Sequence, residues 1–496
     1  MGCELNLDSI PALEEQIREH EKAIIRLKRA RNSLLDASKL PPEVLGKIFY
    51  WNATLNGKFG GLDKKSHNFL LVCHHWFEVA SQTPDLWGFW GNTLEDWGRR
   101  HRRSGTALLD LVLKGDRYGD RCLNTTLRNV LQERAIRDTV RRVHLTADLP
   151  ELLSSIISQL TPIREELRSN SMESFILWNW GDTPVDISDF FVHYRFPKLR
   201  RLHLSYCTIS SPSWDYLASR ISVLTTLALD LILPTPAPTT PKLLSILASN
   251  PTLQKVVLIR RAVPDDGGGS SSFRVQLHHL NKLHLQGGLQ HILRLLHQLD
   301  YPRNMKKLIL ELHNCDVADI PQIIGPYLRD HLQHHDRPRN GLNLFVSSSY
   351  STRGSSIIIL RVGDAGGINF SSPGHIDVLA EIIIHLKRMP DEDGLGRATF
   401  DFITHVPREE VVYLETCNDL IAMENASTQF PNLRALSLNM ASLSVDGGDL
   451  SPLINLLVHR MSFGNRLDTL VIANSRMRPE MEEGIRGMVR ELVISP

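Results

Sequence analysis

At 496 residues, with 42% hydrophobic and 22% charged positions, the chain is too long for one ordinary domain and can bury a sizeable core. A formal net charge of +1 excludes a global field suited to nucleic acid or an anionic membrane. The six cysteines (Cys3, Cys73, Cys122, Cys207, Cys315 and Cys417) are scattered with no CxxC pair, which excludes a zinc ribbon or a thioredoxin-type site. With no secretory apolar region and no run of the ~20 apolar residues a span requires, a cytoplasmic or nuclear chain with reduced thiols is expected.

The first element expected is an amphipathic helix over residues 8–38. Asp8-Ser9 followed by Pro11 reads as a helix start, because a first-turn proline lacks only an N–H that has no partner there anyway. Leu13, Ile17, Ile24, Leu27 and Leu34 then alternate in steps of four and three if His20 and Arg31 fill the gaps. That is a short heptad seam. It either packs back on its own domain or supports weak homodimerisation as a coiled coil.

Residues 39–91 carry three ordered blocks: LPPEVLGKIF from Leu40, VCHHWFEVA from Val72, and TPDLW from Thr83. Pro41-Pro42 ends one helix and seeds the next, on which Leu45, Ile48 and Phe49 share a face. A polar loop from Asn56 to Lys65 leads to a second helical pattern over Phe69, Val72, Cys73, Trp76, Phe77 and Ala80. Together the blocks resemble an F-box that follows a short N-terminal helix, as in many fungal F-box proteins, with a longer inter-block loop than compact F-boxes have. The resemblance implies a small three-helix domain that docks a Skp-type adaptor and, through it, a cullin scaffold. Carried over, the docking face would comprise Leu40, Pro41, Pro42, Leu45, Ile48, Phe49, Trp76, Leu86 and Trp87. A unit this small is not expected to bury Leu45, Phe49, Trp76 and Trp87 all within itself, and each apolar side chain left outside forfeits about 1.5–3 kcal/mol.

From residue 100 to 496 an apolar frame recurs at positions i, i+3 and i+5. It runs through Leu108/Leu111/Leu113, Val140/Val143/Leu145, Met172/Phe175/Leu177 and Leu199/Leu202/Leu204. Further copies are Leu224/Leu227/Leu229, Leu253/Val256/Leu258, Leu280/Leu283/Leu285 and Met305/Leu308/Leu310. Later ones start at Leu433 and Leu467. Successive starts among the first eight lie 25–32 residues apart, the period of leucine-rich solenoids. In a strand, i+3 and i+5 point into a stacked core while i+2 and i+4 point out. Only Leu199-x-x-Leu202-x-Leu204-x-x-Cys207-x-Ile209 extends to the fuller leucine-rich-repeat signature. Helical patterns at Ser213–Arg220 and Leu243–Ala248 fall between frames, and residues 342–346 and 357–362 read as a hairpin within a less regular stretch. The expected fold class is α/β: an N-terminal helix, a three-helix F-box and an irregular leucine-rich-repeat-like solenoid, or horseshoe.

The outward positions of those frames include Arg142, Arg201, His203, Lys255, Lys282, His284 and Lys307. On a concave face they would form a cationic strip suited to an acidic or phosphorylated protein target, or an ordinary solvated strand face. No catalytic or metal site is expected, and no cofactor. His331-Leu332-x-His334-His335 lacks the Glu of a zinc-protease helix, and Gly267-Gly268-Gly269 lacks the Lys-Ser/Thr of a phosphate loop. The functional expectation is a substrate-recognition adaptor of a cullin-type ubiquitin ligase rather than an enzyme. The alternative is a non-ligase interaction scaffold built on the repeat domain. A nucleic-acid role lacks interleaved aromatics and overall basic charge.

Overall fold

The computed structural model describes residues 10–56, 68, 70–90, 104–105, 107–114, 139–161, 168–169, 171–231, 238–266, 274–302, 305–315, 320–333, 342–350, 356–364, 378–386, 406–417, 430–439, 451–473 and 479–495. The protein is mixed α/β and divides into two compact units, Met1–Arg201 and Leu202–Pro496.

The first unit opens with helix α1 (Ile10–Ser33), which buries none of its residues. Its expected cap, Asp8-Ser9, lies outside the described residues, as do the triple glycine at 267 and the histidines at 334 and 335. Helices α2 (Pro42–Asn56), α3 (His74–Ser81) and α4 (Pro84–Trp87) follow. Pro42 and Pro84 each sit at the start of a helix, where a missing N–H costs nothing. Helix α3 begins at His74, after Val72 and Cys73, because Cys73 is fully extended (φ −160°, ψ 168°); Phe69, expected on the same helix, lies outside the described residues.

Strands β1 (Phe89–Trp90), β2 (Leu109–Lys114), β3 (Val140–Ala147) and β4 (Ser174–Asn179) then pair in parallel, each with the next. Parallel neighbours require crossovers. One is helix α5 (Pro150–Leu160), which buries Leu152, Leu153, Ile156, Ile157 and Leu160. The frame residue Phe175 stacks on Phe190 of helix α6 (Ser188–His193) with ring centroids 4.7 Å apart.

In the second unit, strands β5 (Arg201–Ser205), β6 (Thr226–Leu231), β7 (Lys255–Arg260), β8 (Lys282–Gly288) and β9 (Lys307–Cys315) lie side by side in chain order. Helix α7 (Ser211–Arg220) joins β5 to β6, α8 (Thr240–Ala248) joins β6 to β7, and α9 (Leu289–Gln298) joins β8 to β9. Helices α7 and α8 both start on a Ser/Thr-Pro pair, Ser211-Pro212 and Thr240-Pro241. The frame residues from Val140 to Leu310 are all buried, and so are those starting at Leu433 and Leu467. The first frame is the exception: Leu108 is exposed and Leu109 takes the inward place. Tyr206 and Arg260, each seven residues into its frame, adopt left-handed backbone (φ 59° and 58°), which turns the chain out of its strand.

Beyond β9 the chain runs through helix α10 (Ile320–Gln333) into a meander. Strands β10 (Leu342–Tyr350) and β11 (Ser356–Asp364) form an antiparallel hairpin, with Leu342 opposite Asp364 and Tyr350 opposite Ser356. Strand β12 (Val378–Leu386) pairs antiparallel with β11 and parallel with β9. The spatial order is therefore β9-β12-β11-β10, with strand β13 (Val411–Cys417) parallel to β10. Two reversals restore the original direction. Strands β14 (Ala435–Asn439), β15 (Thr469–Ala473) and β16 (Glu491–Ser495) continue in parallel, with α11 (Ser451–Ser462) and α12 (Pro479–Met488) as crossovers.

Candidate functional site

Two surfaces concentrate the residues that the sequence singles out. The first belongs to helices α2 to α4. Leu45, Phe49, Leu86 and Trp87 are buried in one core with Val79 and Ala80, against which Leu40, Leu70 and Trp76 pack while partly exposed. Of the four side chains that so small a unit was not expected to enclose together, Leu45, Phe49 and Trp87 are buried and Trp76 stays partly exposed. Close approach explains it. Trp87 Nε1 donates to the Ala80 carbonyl at 2.7 Å, so its one polar atom is satisfied in the interior. Phe49 and Trp76 meet at 5.1 Å with rings tilted by 55°.

Of the expected docking residues, Pro41, Pro42 and Ile48 remain on the surface. Ile48 stands between two residues that the sequence reading passed over. Val44, Ile48 and Trp51 are 41%, 46% and 61% exposed, and at i, i+4 and i+7 they form one stripe along α2. The signal was present: apolar residues cover two faces of this helix, and only one can turn inward. A cleft of about 460 Å³ opens beside that stripe, between Pro42, Glu43, Lys47 and Tyr50 of α2 and the turn of Gln82, Thr83 and Pro84.

The three-helix unit is fastened to the strands by a polar joint. Arg141 of β3 binds the buried Asp110 of β2 through two hydrogen bonds and reaches Tyr50 of α2 at 3.3 Å. The hydrogen bonds that Arg141 donates to Asp110 raise its pKa above the usual guanidinium range, while burial works against them. Arg142, expected on the recognition face, also leans on Asp110, with Nε 3.7 Å from Oδ1.

The second surface is the outward face of strands β6 to β9. Thr226, Lys255, Lys282 and Lys307 are direct register partners on successive strands. Adjacent strands lie about 4.8 Å apart, so the three lysines form a ladder across the strand entrances. Two residues on, Ala228, Val257, His284 and Ile309 make a mostly apolar row. Two further on the sign reverses: Asp230 and Glu311 occupy the sixth frame positions. Asp230 lies 3.6 Å from Arg260 and accepts from the Ser205 hydroxyl, and Glu311 holds His284 Nε2 at 2.8 Å. The face therefore carries lysines at the starts of β7 to β9, with Asp230 and Glu311 near the ends of β6 and β9 and Ile259 and Gln286 between them. Arg201 is exposed and His203 half-buried on β5.

The remaining chemistry is structural. Cys207 is buried, and burial pushes its thiol well above the ordinary range, which suits packing rather than reactivity. His331 is buried in the last turn of α10. Among the described residues no cluster of His, Cys, Asp and Glu could hold a metal ion, and no helix is long and apolar enough to cross a membrane. No protein-family model matches the chain, and no curated protein matches it significantly.

Proposed function

We propose that the chain is a target-recognition adaptor of a cullin-type ubiquitin ligase, with helices α2 to α4 as an F-box and the strands as an irregular leucine-rich-repeat solenoid. The observation that carries this reading is the exposed Val44-Ile48-Trp51 stripe. It lies on a unit already folded around its own core, within sequence that resembles an F-box. A surface of that kind is suited to a Skp-type adaptor, because the apolar area is removed from water only by docking. The buried Arg141–Asp110 pair, with Tyr50 beside it, supports a fixed joint between the three-helix unit and strands β2 and β3.

The lysine ladder is the proposed target surface, favouring a protein segment that presents acid or phosphate to Lys255, Lys282 and Lys307. Co-purification with a Skp-type adaptor tests the first half. Ile48→Asp should abolish it without unfolding the chain, since Ile48 is on the surface. Undiminished capture by that variant, or none by the wild type, would favour the scaffold reading, in which the strands bind partners without a ligase. That second reading is supported by the satisfied core of Leu45, Phe49 and Trp87, which needs no adaptor to fold.

A further inference from the structure

Helix α1 presents an unpartnered apolar seam. Ile17 is 57% exposed, Ile24 51% and Leu27 71%, and no residue of the helix is buried. Ile10, Ile17 and Ile24 recur every seven residues at one seam position, while Leu13, Leu27 and Leu34 occupy the other. Apolar residues recurring at both positions make a coiled-coil seam. His20 and Arg31 complete the pattern.

Charge decides the orientation. The four acids of the helix, Glu14, Glu15, Glu19 and Glu21, all precede residue 22, and five of its six Lys and Arg, from Lys22 to Arg31, follow. The helix dipole does not account for this, because that effect is confined to the terminal turns and the first turn holds no acid. Two parallel copies would set Arg31 against Arg31 in the seam, and would face Glu21 with Gln16 and Lys28 with Ala23, so that no opposite charges meet. Reversing one copy removes the Arg31 clash and brings opposite charges together. Ile10 then meets Leu34 of the other copy, Ile17 meets Leu27, Ile24 meets His20, and Arg31 lies over Leu13. Glu14 flanks Lys28 twice, and Glu21 facing its own copy at the dyad is the remaining repulsive contact.

We propose that a second copy of this chain covers α1, as an antiparallel two-stranded coiled coil that pairs adaptors into a dimer. The dimer forms without any adaptor or target, so its test is independent of the proposed ligase role. Sedimentation velocity on the full chain at tens of micromolar should give twice the chain mass of 56.2 kDa. Ile17→Asp with Ile24→Asp should return the monomer, and the exposed seam lets the rest of the chain stay folded. Glu14→Lys or Lys28→Glu alone should weaken the dimer roughly tenfold, and the two together should restore it. In a parallel pair residues 14 and 28 of opposite copies stand about 21 Å apart, beyond effective coupling at physiological salt. A monomeric wild type, a dimer that survives the two Asp substitutions, or a charge swap without rescue overturns the proposal.

Discussion

Arg141 grips Asp110 through two parallel hydrogen bonds, Nε to Oδ1 at 3.0 Å and Nη2 to Oδ2 at 2.8 Å, and the carboxylate is almost wholly buried. A buried pair of this kind is weak evidence of net stability, yet removing one partner strands a desolvated charge. Arg141→Met should therefore destabilise the first unit by about 2–4 kcal/mol, softened by Arg142 nearby. Arg141→Met with Asp110→Leu should recover most of that loss. Urea denaturation of the two variants checks it; a double variant no better than the single would mean that the pair's charges are not what matters.

Gly46 of α2 marks the closest approach inside the three-helix unit. A Cβ there would lie 2.9 Å from Thr83 Oγ1, which donates to the Val79 carbonyl at 2.7 Å. Helix propensity alone favours Ala over Gly by about 1 kcal/mol. The clash should reverse that sign, so that Gly46→Ala costs about 1 kcal/mol in the wild type and gains a similar amount in a Thr83→Ala background. Thermal unfolding of the four proteins completes the cycle, and additive effects would exclude the contact as the cause.

Much of the strand layout was legible because a period-two burial pattern repeats wherever strands stack. Every frame from Val140 to Leu310 lands in the core. Leu108 misled because Leu109 beside it is equally apolar, and β2 enters its pairing with β1 at the next residue, where the Asp110 amide donates to the Gly88 carbonyl. Residues 378–386 also fit the frame, as Leu379/Ile382/Ile384, but nothing in that pattern reveals that β12 pairs parallel with β9 and antiparallel with β11. Side-chain partners across strands were harder still. Asp230 and Glu311 sit where the frame marks outward positions, but their pairing with Arg260 and His284 depends on neighbours about 27–30 residues away. In the three-helix unit, sequence placed Leu45 and Ile48 on one face, whereas packing turned them to opposite environments.

Asn250 follows the end of α8 and is fully buried. Its amide donates to the carbonyls of Ile221 and Ile246 at 3.0 and 2.8 Å and accepts from the Leu224 amide at 2.9 Å. One side chain thus closes a helix and starts the preceding strand's frame. Asn250→Leu keeps the volume but orphans three backbone groups. A loss of about 3 kcal/mol is expected, against less than about 1 kcal/mol for Ser249→Ala at the half-buried neighbouring position, measured by urea midpoint. Hydrogen exchange should quicken first at Leu224, and unchanged protection there would contradict the bridging role.

Tyr413 of β13 is buried, and burial pushes its phenol up to about 12 from an ordinary 10, with Glu415 adding to the rise and a hydrogen bond with Ser437 opposing it. The folded state therefore holds this proton more tightly than the unfolded one. Its contribution to stability is complete below pH 10, where both states are protonated. It falls as pH rises from 10 to 12, by about 1.4 kcal/mol per pH unit, because only the unfolded phenol ionises in that window. Tyr301, also raised by burial, adds in the same direction. Tyr413→Phe removes one titrating group, so its stability should decline less steeply between pH 10 and 12 than that of the wild type. Urea midpoints at pH 9, 10, 11 and 12 measure both slopes. Parallel slopes would mean that Tyr413 already reaches solvent in the folded protein.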